Sequence, residues 1–264
     1  EFRRVLFRSA VFNNGKGVAS VAGAAKIMPV RIADANAYAY WSTVAQGLTW
    51  AADNGARVAN ISYVGVAGSA SVQSAAQYMK SKGGLVVVCA GNNGKDEGIT
   101  PTSTMIPVSA TNSADAKTSW SSYGQFVAVS APGQDIWTTT RSGSYQAWWG
   151  TSMASPVVAG VLASMMAAKP TLSAAQVESL LFSTAVDLGT AGRDSLYGYG
   201  RVDAHAAVAA AASAVAVDTQ APTVGITSPG ASSSVNGTVT VSASASDNVG
   251  VTRVELRANG TLVA

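Results

Sequence analysis

The heptapeptide Gly150-Thr151-Ser152-Met153-Ala154-Ser155-Pro156 leads directly into the apolar run Val157-Val158-Ala159-Gly160-Val161-Leu162-Ala163-Ser164-Met165-Met166. The run is long enough for a buried helix, and its glycine and alanines permit close packing. Ser152 is then expected at the helix N-terminus. Free N–H groups and the positive end of the helix dipole favour a developing negative charge there. Pro156 is expected in the first turn, where a missing N–H leaves no bond unmade. A serine held this way is mounted as a nucleophile for acyl transfer. A capping serine on a core helix is the competing reading, and it would hold for a generic serine before a helix. All seven residues in this context favour the nucleophile.

The chain before this helix alternates between strand and helix signals. Ile27–Ile32 reads as a short strand, and Thr43–Ala52 has helical spacing that Asn54-Gly55 ends. Arg57–Tyr63 reads as the next strand. Ala70–Lys82 reads as a helix closed by Gly83-Gly84. Leu85–Ala90 then reads as a buried strand without alternation, as a parallel sheet requires. This order predicts an α/β layer fold with a mostly parallel central sheet and right-handed crossovers. Short β segments are expected over 105–150. After the nucleophile helix come a helix over Ser173–Ser183, capped by Ser173, and an alanine-rich helix from Asp203 to about Ala212. Residues 213–222 read as a linker. Over 223–264 the pattern changes. Val224-Gly225-Ile226, Val239–Ala243 and Val254–Arg257 alternate as short strands, and Asn236-Gly237 and Asn259-Gly260 are hairpin signals.

Composition excludes several function classes. The 264 residues, 48% hydrophobic and 12% charged, suffice for one globular core and a small module. The formal net charge of +3 gives no support for nucleic-acid binding. Arg3, Arg4 and Arg8 against Glu1 supply +2 of it, and no Lys/Arg cluster interleaved with aromatics occurs elsewhere. Cys89 is the only cysteine, so no internal disulfide can form. Its Val-rich surroundings read as a buried strand. No run reaches the about 18 apolar residues of a membrane span.

The segment around Ser152 resembles the nucleophile motif of the subtilisin-like serine proteases. Gly84–Gly94 resembles that family's buried strand leading into its oxyanion asparagine, the place held by Asn92. Val58–Tyr63 resembles its cleft-lining strand. Ser119–Gly124 and Val129–Gly133 are similar to segments between asparagine and serine, and Tyr197–Ala204 to the closing turn into the last helix. The resemblance runs from about Ala10 to about Ala212. It implies a three-layer, subtilisin-like peptidase domain over 10–212, and 223–264 resembles the start of a bacterial immunoglobulin-like sandwich.

The resemblance also assigns roles. Ser152 would attack the scissile carbonyl, and Asn92 would donate to the oxyanion with the Ser152 N–H. Ser62, Tyr63, Val64 and Gly65 would line the substrate cleft, opposed by an edge strand at Ala37-Tyr38-Ala39, and a peptide would bind between them. Ala90 and Gly91 form a small apolar wall, so apolar or aromatic side chains are expected in the primary pocket. Val64 stands where the family often has glycine, which narrows that pocket. Trp148 and Trp149 are expected in the core. Asn14 resembles part of a family calcium loop, making calcium a structural cofactor, and no catalytic cofactor is expected. The expected setting is a secreted monomer acting on protein or peptide substrates.

A working triad also needs a base and an orienting carboxylate, in the order Asp, His, Ser. The family's Asp-Thr/Ser-Gly and His-Gly-Thr-His segments are not found, and the only histidine, His205, follows Ser152. Residues 1–9 resemble the translation of a short-read sequencing adapter rather than a targeting peptide. The expectation is therefore an incomplete, inactive copy of an endopeptidase, truncated at both ends. Two alternatives stand beside it. One is a non-catalytic homologue that binds peptides or surfaces. The other is an esterase using Ser152, His205 and one of Asp187, Asp194 or Asp203.

Overall fold

Four parallel strands, β1 (Val58–Ile61), β2 (Leu85–Cys89), β3 (Ile106–Thr111) and β4 (Val129–Pro132), form one sheet in sequence order. Val58 pairs with Leu85, Val87 with Ile106 and Val108 with Val129. The computed structural model that shows this describes residues 13–15, 17–140, 143–215, 221–247 and 250–263. The adapter-like residues 1–9, linker residues 216–220, and Asn248 and Val249 lie outside them. The chain divides into two compact units, with the boundary between Ala214 and Val215.

In the first unit β2 is buried on both faces along its whole length. Alternate residues serve different cores, as the two-residue period of a strand dictates. Leu85 and Val87 join one cluster and Val86 and Val88 the other. The second cluster is completed by Val44, Leu48 and Ala52 of α1 (Trp41–Asp53) and by Val72, Ala76 and Met79 of α2 (Ala70–Ser81). The first is completed by α3 (Thr151–Ala168), α4 (Ala174–Ser183) and α5 (Ala204–Ser213). Helices thus cover both faces of a parallel sheet, the three-layer arrangement the sequence predicts. Cys89 is a buried thiol at the end of β2.

Glycine sets two helix ends. After α1, Gly55 (φ 81°) lets its N–H reach Ala52 O and the Ala56 N–H reach Ala51 O. After α2, Gly83 (φ 84°) and Gly84 do the same to Lys80 O and Met79 O. These paired bonds satisfy carbonyls that a helix end leaves open. Ser173 and Gln176 cap α4 reciprocally, and Asp203 caps α5 through the Ala206 N–H. The 18-residue α3, with mean hydropathy 1.4, is long and apolar enough to cross a membrane by length and composition alone. Two thirds of it is buried in the protein, packed on all four strands, as a central core helix must be.

Several expectations change. Ile27–Ile32 forms no strand, and no described strand pairs with it. Val30 and Ile32 instead pack onto Gly47 of α1. Ala37-Tyr38-Ala39 is a loop rather than an edge strand. Asp34 Oδ1 accepts the Asn36 and Tyr38 N–H groups, and Ala37 takes φ 64°. Trp148 and Trp149 are exposed, not core. Trp148 lies in the hairpin β5 (Ile136–Thr139) and β6 (Tyr145–Trp148), and Trp149 rests on Trp120 at 5.1 Å between ring centres.

In the second unit β7 (Thr223–Ser228) pairs antiparallel with β8 (Ser242–Ser246), and β9 (Arg257–Ala258) with β10 (Thr261–Leu262). The partner of β7 is the Ser/Ala alternation of 242–246 rather than the valines of 239–241, which stay partly exposed. Residues 254–256 carry no strand. Asn259 (φ 50°) and Gly260 (φ 83°) make the expected hairpin turn, while Asn236-Gly237 makes only a bend.

Candidate active site

The N-terminus of α3 lies over the ends of β1 and β2. Gly150 precedes it with φ 134°, a conformation that favours glycine, and its N–H is held by Gly133 O at 2.8 Å. Thr151 opens the helix and is completely buried. Its N–H and its Oγ1 hydroxyl both donate to Asn92 Oδ1, each at 2.9 Å, while Oγ1 accepts the Gly91 N–H at 3.1 Å. Because Oδ1 is taken twice, the Asn92 Nδ2 donor must face the other way. A Cβ built on Gly150 would stand 3.5 Å from Asn92 Nδ2 and 3.7 Å from the Ser152 backbone N. Asn92 Oδ1 stands 3.8 Å from the same point, so the Asn92 side-chain amide and the Ser152 backbone N border one spot beside Gly150. The Ser152 N–H belongs to the first helical turn and has no partner among the described residues.

Ser152 is half-buried at the second helical position, and its hydroxyl bonds no described residue. Pro156 is not in the first turn as expected. It is the sixth helical residue, because the helix begins at Thr151. Its missing N–H would otherwise bond the Ser152 carbonyl. Ser62 Oγ approaches that carbonyl instead, at 3.4 Å, and also contacts Ser155 Oγ at 3.2 Å and accepts from Asn60 Nδ2 at 2.8 Å. The cleft segment and the serine are thereby tied together.

The remaining site residues divide. Ser62, Gly91, Asn92 and Ser152 come together through these bonds, and Ala90 precedes Gly91, bonded to Val108 O. Tyr63 reaches Ala37 O through its hydroxyl at 3.0 Å, with Tyr38 exposed and Ala39 half-buried beyond it. Val64 and Gly65 line a cavity of about 610 Å³ with Trp41, Gly68, Ser69, Ala70, Ser71, Glu97 and Ile99. His205 is exposed in the first turn of α5. Asn14 is exposed, and among the described residues no group of three or more His, Cys, Asp or Glu side chains comes together. A hard cation takes six to eight oxygens, so the expected calcium site gains no carboxylate set, and no role is derived for the ion. Thr151 and Glu97 were not legible as site residues. Thr151 sits inside the nucleophile motif with no role of its own, and no motif read from the sequence includes Glu97.

A model of the subtilase family matches residues 9–200, and one of the bacterial Ig domain matches residues 222–264. The chain belongs to the subtilase family. Thermitase of Thermoactinomyces vulgaris is 39% identical over 202 residues, which is 76% of this chain and 71% of that protein. Subtilisin BL of Lederbergia lenta is 36% identical over 75% of this chain and 73% of that protein. Among solved structures, a protease of Pseudoalteromonas arctica PAMC 21717 superposes with a TM-score of 0.69 at 33% identity, covering 78% of this chain and 68% of that one. The subtilase unit is thus a serine peptidase domain, followed by a bacterial Ig segment.

Proposed function

We propose that this subtilase cleaves peptide bonds through an acyl-enzyme on Ser152, with Asn92 Nδ2 and the Ser152 N–H stabilising the oxyanion. The observation that supports this is the proximity of the Asn92 amide and the Ser152 backbone N at Gly150, with Asn92 Oδ1 already occupied by Thr151. Ser152 Oγ adds to the scissile carbonyl and its proton passes to a base. The carbonyl oxygen becomes the oxyanion, the amine leaves with a proton, and water then hydrolyses the ester. An extended peptide would lie along Ser62–Gly65. The parent protein is proposed to act outside the cell as a monomer, a setting compatible with its low charge and abundant Ala, Gly and Ser.

Without a base Ser152 is a poor nucleophile, so the 264-residue chain alone is proposed to have little triad-dependent turnover. His205, exposed in the first turn of α5, bonds neither Ser152 nor Asp187, Asp194 or Asp203 among the described residues, so the geometry lends the esterase alternative no support. The test is to read the source gene upstream of Ala10 and express the longer product. Asp-Thr/Ser-Gly followed by His-Gly-Thr-His, and casein hydrolysis abolished by Ser152→Ala, are expected. A start codon at that junction, with neither motif, would put a non-catalytic peptide-binding role in first place.

A further inference from the structure

The cavity beside Val64 and Gly65 has one charged residue in its lining, Glu97. Its carboxylate also reaches the opposite wall of the cleft. Oε1 would lie 3.4 Å from a Cβ on Gly91. That oxygen is fixed by Asn93 Nδ2 at 2.7 Å and Ser122 Oγ at 2.6 Å, and Ser122 is in turn held by the Asn93 N–H. The other oxygen, Oε2, has only Lys95 Nζ at 3.9 Å, and the Lys95 side chain is 65% exposed while that of Glu97 is 15% exposed. A rigid, mostly buried carboxylate thus presents an under-used acceptor in a pocket otherwise lined by glycine, serine, alanine, valine, isoleucine and tryptophan.

We infer that this pocket receives a cationic side chain, lysine or arginine, of the bound peptide, with Glu97 as its counter-ion. The inference rests on the cleft reading above and concerns this cavity, whose lining does not include the Ala90 and Gly91 of the expected apolar wall. An apolar side chain filling the cavity would strip water from the carboxylate and return no hydrogen bond. An ammonium or guanidinium returns a charge-assisted one. Trp41, which also lines the cavity, is an aromatic of the kind that favours a cation. Lys95, reaching from solvent, is a weak competitor that an incoming cation displaces.

The test uses the 264-residue chain carrying Ser152→Ala, so that nothing is cut, and fluorescently labelled pentapeptides that differ at one central position. Anisotropy titrations are expected to give dissociation constants about tenfold or more lower for Lys and Arg than for Gln, Leu or Phe at low salt. Glu97→Gln should remove that gap and leave the Leu peptide within about twofold. Lys95→Met, at an exposed position, should tighten the Lys peptide further, which keeps the inference testable if Glu97→Gln fails to fold. A Leu or Phe preference, or a cation preference that survives Glu97→Gln, overturns the inference and leaves the cleft reading intact. Binding of none of the peptides overturns the cleft reading itself, and this inference with it.

Discussion

The proposed role of the Asn92 amide depends on what holds its carbonyl. Two hydrogen bonds from Thr151 occupy Oδ1 and leave Nδ2 as the group able to donate to the proposed oxyanion. In an active, upstream-extended gene product, Asn92→Ala is expected to lower kcat about 10²–10³-fold with KM little changed, a magnitude known from this family. Steady-state kinetics check it, and an unchanged kcat would sink the oxyanion role. The part played by Thr151 could not be read from the chain, because the amide it orients lies 59 residues earlier. Lys117 offers a second residue-scale prediction. It donates to Thr118 O and Ser121 O, yet burial pushes its ammonium below the ordinary value of 10.5. The unfolded chain therefore holds that proton to higher pH than the folded one. The resulting penalty is full below the folded pKa and fades as pH rises toward 10.5. Urea titrations should find Lys117→Met comparing better with the wild type at pH 7 than near pH 10.5, and the opposite ordering would contradict the sign.

At the scale of elements, α3 and α4 rest on different devices. The capping box of α4 should make Ser173→Ala cost about 1 kcal/mol in urea unfolding. In α3, a Cβ on Gly160 would stand 2.7 Å from Val21 Cβ. Gly160→Leu therefore overpacks a closed core and should lower stability by about 1–3 kcal/mol, with a reduced thermal midpoint as the readout. The helices were legible because punctuation marks their ends: Asn54-Gly55, Gly83-Gly84, Ser173 and Asp203 each stand where the chain turns. Ile27–Ile32 was misread because composition can favour a strand but cannot supply its neighbour. The tryptophans misled for a related reason. A large apolar side chain has a strong average tendency to be buried, while Trp148 ends a short hairpin and Trp149 follows it, both exposed.

For the whole molecule, charge and fold are separable. Removing residues 1–9 takes away three arginines and one glutamate and lowers the formal charge from +3 to +1. The shortened chain is expected to elute earlier from a cation exchanger at pH 7, with an unchanged far-UV circular dichroism spectrum; a lost spectrum would give those residues a structural role. The layer order was legible from alternating strand and helix signals. The path of the second unit was not, because several Ser- and Val-rich segments compete as partners for β7. One local detail reaches across this architecture. Pro156 interrupts the rod of α3 just below the nucleophile, and Ser62 moors the freed carbonyl sideways. The backbone of Ser152 is therefore linked to the segment after β1, and not only to the helix behind it. A displacement of Ser62 would reach the first turn of α3 through two contacts, at Ser152 O and Ser155 Oγ.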